Sequence, residues 1–200
     1  MSSGFLLLIS NSLIESFGTL TVSTGVTIMN DERLRAVAAA ALVIGALLGM
    51  AGTFTASAEL RGLAWGIDGT LLIVGSALLA VHHLKRGNEL LAAGFLVFVA
   101  GETLIVSASA VDLAASGPTF AAGAALWAAS MALVSASGSM PLFVRGTGAI
   151  GAVLFAMTAA RIFAGADLTP LSKPWPFFAY PFLALTLFGW AWVHWRSAST

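Results

Sequence analysis

The apolar residues of this chain fall into successive blocks of about 20, and that pattern limits the fold more than any other feature. A block of this length crosses a bilayer core of about 30 Å as an α-helix. Six such spans are read, at residues 34–55, 62–82, 89–110, 119–137, 142–164 and 176–195. Composition removes the soluble alternative. The 200 residues are 58% hydrophobic and 9% charged, with a mean hydropathy of +0.95, whereas a soluble domain carries about 25% charged residues. The prediction is an all-α, polytopic transmembrane helix bundle, one integral membrane domain over residues 29–200.

Residues 1–28 fit this pattern poorly. They are rich in Ser, Thr and Gly and contain Glu15, and they lack the positive start and long apolar run of a signal peptide. They read as a weakly structured N-terminal extension, either an upstream-start artefact ahead of the leader "MNDERLR" that begins at Met29 or a marginal extra helix. Basic residues set the orientation, because cytoplasmic loops carry the excess of Lys and Arg. Arg33, Arg35, Lys85, Arg86, Arg145 and Arg196 fall beside one end of the spans, and Arg61 and Lys173 beside the other. Both ends of the core are therefore predicted to be cytoplasmic. Arginine outnumbers lysine seven to two, and this composition suits a GC-rich bacterial gene and an inner-membrane protein.

Helices in lipid associate through small residues and polar contacts. Gly45 and Gly49 form a GxxxG step in the first span, read mainly as packing within the chain and secondarily as a homo-oligomer face. Tryptophans gather near span ends, where their rings anchor at the interface; Trp127, mid-span, is assigned to core packing. Pro181, inside the sixth span, is expected to bend it.

Three ionisable residues lie within the spans: Asp68 in "WGIDGT", Glu102 in "AGETL" and Arg161 in "TAARIF". A charge facing lipid costs a few kcal/mol, so such residues turn inward and pair. Glu102 stands 16 residues beyond Arg86, Arg161 stands 16 beyond Arg145, and Asp68 stands 17 before Lys85. At 1.5 Å per residue, all three are expected in one layer of the outer half of the bilayer. Glu102 is paired with Arg161, whose planar fork suits a carboxylate, and Asp68 is the odd acid.

His82, His83 and His194 sit at the cytoplasmic ends of the second and sixth spans. The preferred reading is histidine at the interface, favourable near helix C-termini; a metal or haem site between helix ends is the functional alternative. No cofactor is predicted. The chain has no cysteine, no phosphate loop, no HExxH and no GxSxG elbow, so an enzyme is not expected, and the dispersed basic residues give nucleic acid no footprint. The lipid bilayer is the one expected partner. Two functions stay open: a non-enzymatic membrane protein whose polar trio clasps the helices, or a small transporter or channel-like protein using the trio as an outward-facing site for a proton, ion or solute.

Overall fold

The computed structural model describes residues 30–109, 113 and 115–198. The extension assigned to residues 1–28 lies outside them. Six helices are present among the described residues, each long and apolar enough to cross a membrane: α1 (Asp31–Phe54), α2 (Ala58–Lys85), α3 (Glu89–Ser109), α4 (Gly117–Ala136), α5 (Leu142–Phe163) and α6 (Tyr180–Ala198), the last preceded by a single 3₁₀ turn at Phe177–Ala179. No described residue is in a strand.

Local chemistry explains the helix ends. Asn30 Oδ1 accepts the Arg33 amide at 2.8 Å, and Ser57 Oγ accepts that of Leu60 at 3.2 Å, each capping a helix start whose first N–H groups have no helical partner. Helices α2 and α5 both stop on a glycine with positive φ, Gly87 at +71° and Gly165 at +92°. There the next two amides fold back onto carbonyls of the last turn: Gly87 to Leu84 and Asn88 to His83, Gly165 to Ile162 and Ala166 to Arg161. This is the Schellman closure, which favours a residue without a Cβ. Pro181 is the second residue of α6, where a missing N–H costs nothing, so the expected mid-span bend has no proline to cause it.

Each helix packs against its neighbours in sequence, and α6 returns to α1, closing a ring of six. Down the middle runs a column of buried rings. Trp127 stacks on Phe98 and meets Phe155 edge-on at 5.1 Å; Phe98 meets Trp190 at 5.6 Å, and Trp190 meets Phe95 at 5.1 Å. Large apolar side chains such as Leu47, Leu63, Leu96 and Val153 point outward, as a lipid-facing surface requires. The start of α1 and the ends of α2 and α6 come together at one face of the bundle, through the contacts of Asp31 and His194 described below. That face is called here the terminal end, and the opposite one the far end. Gly45 and Gly49 serve the α1–α2 seam: a methyl at Gly45 would meet Leu72 Cδ2 at 2.8 Å, and one at Gly49 would meet Asp68 Oδ2 at 2.5 Å.

Candidate functional site, an acidic cavity at the far end

Helices α1, α2, α3, α4 and α6 line a cavity of about 60 Å³, to which α5 contributes nothing. Asp68 and Glu102 both line it, with Trp65, Phe120, Trp127 and Tyr180 among the remaining wall. Its far-end wall includes Thr53 and Ser109, at the ends of α1 and α3, and Pro170 from the segment between α5 and α6. Glu102 is 1% exposed. Its Oε2 accepts the Trp127 indole N–H at 2.9 Å. Its Oε1 reaches across to α2, lying 3.1 Å from where a Cβ on Gly69 would stand. Asp68, the residue before Gly69, rests Oδ2 against α1 at Gly49, and its buried Oδ1 has no hydrogen-bond partner. The missing side chains of Gly49 and Gly69 let both acids approach neighbouring backbone.

The polar side chains of the wall divide unevenly. Trp127 donates to Glu102, Trp65 Nε1 to the Gly49 carbonyl at 3.3 Å, Thr53 Oγ1 to the same carbonyl at 2.8 Å, Ser109 Oγ to the Val106 carbonyl at 2.8 Å, and Tyr180 Oη to the Pro170 carbonyl at 3.0 Å. Every side-chain N–H and O–H lining the cavity is engaged, while carboxyl oxygens remain open. Among the described residues, no Lys, Arg or His lines it.

Arg161 is not part of this arrangement. It is exposed, in the last turn of α5, and makes no ion pair with either acid. The equal 16-residue offsets misled because their origins differ. Arg86 precedes the first residue of α3 by three positions, whereas Arg145 is already three positions inside α5. Arg161 therefore lies deeper along its helix than Glu102 by about a turn and a half, roughly 9 Å at 1.5 Å per residue, which carries it to the far-end surface. The partner of Glu102 is Trp127 instead. That contact had a signal in the sequence, since a mid-span indole N–H needs an acceptor and lipid offers none.

The three histidines are buried within the terminal end of the bundle: His82, His83 and His194 are 4%, 6% and 3% exposed. His82 Nδ1 bonds Asp31 Oδ1 at 2.6 Å, and Asp31 Oδ2 takes Arg86 Nη2 at 2.9 Å with Arg35 Nε at 3.5 Å. His194 Nδ1 donates to the Trp190 carbonyl at 2.6 Å. For neutral rings its Nε2 then accepts from His83 Nε2, 2.9 Å away, which leaves His83 Nδ1 as a buried lone pair without a partner. The His83 and His194 nitrogens bond each other instead of converging on a third point. Among the described residues, no group of three or more His, Cys, Asp or Glu side chains is arranged to hold a metal ion.

No family model, curated protein or solved structure matches this chain. What can be said of its chemistry comes from its own geometry. Six apolar helices make it an integral membrane protein.

Proposed function

We propose that this is a small, non-enzymatic bacterial inner-membrane protein that binds and carries a positively charged species through its far-end cavity. One observation carries the reading: Asp68 and Glu102 share an apolar cavity that has, among the described residues, no fixed cation and no free side-chain donor. Two carboxyl groups in such surroundings need a mobile positive charge, a proton or a cation, because burying an uncompensated ion costs several kcal/mol. An architectural clasp would close on itself, and this pair does not. Orientation follows the charges. Six basic residues border the terminal end, and three, Arg61, Arg161 and Lys173, border the far end; this bias favours a cytoplasmic terminal end, with the cavity nearer the outside.

Reconstitution into liposomes tests this. Wild-type protein should dissipate an imposed proton or cation gradient faster than empty liposomes, read with a trapped pH dye or an ion-selective electrode. Asp68→Asn and Glu102→Gln, shown to be helical and monodisperse, should lose that flux. Wild-type flux equal to the empty-liposome leak sinks carriage; undiminished flux in both variants sinks the site.

A further inference from the structure

Chemistry in the cavity wall narrows the class of cation. We infer that the cavity takes a small organic ammonium ion carrying N–H groups, of the size of methylammonium, in preference to a hard metal cation; this rests on reading the cavity as a cation site. The open hydrogen-bonding capacity is of one kind only. Asp68 Oδ1 is a buried acceptor without a hydrogen-bond partner, the Trp127 indole serves only Oε2 of Glu102, and the side-chain donors of Trp65, Thr53, Ser109, Trp127 and Tyr180 are spent on other partners. A ligand must therefore bring its own donors as well as its own charge, which an ammonium group does with up to three N–H bonds.

The rest of the wall separates an ammonium from a metal ion. Calcium takes six to eight oxygen ligands and magnesium keeps an octahedral shell. Here the Gly49 carbonyl already accepts two donors, and most of the remaining surface is Leu, Ile, Val, Ala and Met. Four aromatic rings, Trp65, Phe120, Trp127 and Tyr180, stand in that wall. Aromatic rings attract an organic cation through their quadrupoles and give a hard ion little in place of its water. Size sets an upper limit. At about 60 Å³ the cavity suits a small ion such as methylammonium better than a bulky quaternary ammonium with four alkyl arms.

The test uses the full-length protein in detergent or nanodiscs, titrated with methylammonium chloride and, at matched ionic strength, with sodium, potassium and tetraethylammonium chlorides. Methylammonium should raise the unfolding temperature saturably, as any ligand of the native state does, and should shift tryptophan fluorescence, since Trp65 and Trp127 are in the wall. The other three salts should do neither. Glu102→Gln keeps the shape and an acceptor for Trp127, and should weaken methylammonium binding at least about tenfold, the range of one charged hydrogen bond. Phe120→Leu keeps both acids and should weaken it about two- to fivefold by removing one ring. Carboxylate-dependent proton or sodium flux without methylammonium binding would overturn the ammonium assignment and leave the cation site standing. Saturable sodium binding tighter than methylammonium binding would overturn it too. Neither binding nor flux in the wild type would remove both readings.

Discussion

The two ends of the bundle handle acid in opposite ways. At the terminal end a single carboxylate, Asp31, meets His82, Arg86 and Arg35, and its side chain keeps 41% exposure. At the far end two carboxyl groups meet one indole N–H between them, and Glu102 is almost wholly buried. The first cluster has more positive partners than acid; the second has acid and no positive partner. Polar groups kept for architecture are matched to one another, because an unmatched one is costly in an apolar interior. An imbalance that the fold leaves open is where a mobile partner belongs. Between the two ends runs the ring column, from Trp127 through Phe98, Trp190 and Phe95 to His83, which stacks on Phe95 at 5.5 Å. The ends are thus in mechanical contact and chemically unlike.

Four substitutions probe that contrast, each read by thermal or denaturant unfolding in detergent. Trp127→Ala should cost most, about 3–5 kcal/mol, since it removes the ring between Phe98 and Phe155 and strips Glu102 of its donor. A loss below about 1 kcal/mol would show that the column does not hold the two ends together. His83→Ala comes next, at about 1–3 kcal/mol, because His194 Nε2 loses its donor in a dry interior. Little change there would mean that water already serves the terminal cluster, and the matched end would not be matched after all. Asp31→Asn should cost less, on the order of 0.5–1 kcal/mol, since the carboxylate itself is 41% exposed to solvent. Glu102→Gln should be smallest, near zero or stabilising, because it removes an uncompensated acid while an amide oxygen still accepts from Trp127. If it destabilises as much as His83→Ala, the far end is a structural contact like the near one and the contrast disappears.

Much of this architecture was legible in the chain. The six blocks lie within a few residues of the helices, and the two acids that matter were already conspicuous as charges inside apolar runs. What escaped was whatever depends on how helices sit beside one another. Arg161 was assigned a depth by counting from Arg145, and a count along one helix says nothing of where that helix starts relative to its neighbour. His194 stands 111 residues from His83, so their meeting follows from α6 returning to α1, a closure that no local pattern encodes. Trp127 had a readable signal, an indole N–H at membrane depth, but the choice of Glu102 over Asp68 as its acceptor needed the packing of α3 on α4. Tyr180 and Pro170, which close the cavity, come from the far side of the sequence.

That closure bears on how the protein is made. In the ring each helix touches the one before it, so the first five can pair as they leave the ribosome and enter the bilayer, adding local contacts one at a time. The cavity cannot form in that sequence of events. Its last wall, Pro170, Tyr180, Leu183, Ala184 and Leu187, arrives with the final helix, when α6 joins α1 and α5. Until then Asp68 and Glu102 line an open groove rather than a chamber. Assembly of the site waits on the arrival of α6, and a chain cut before that helix would leave the groove without its last wall.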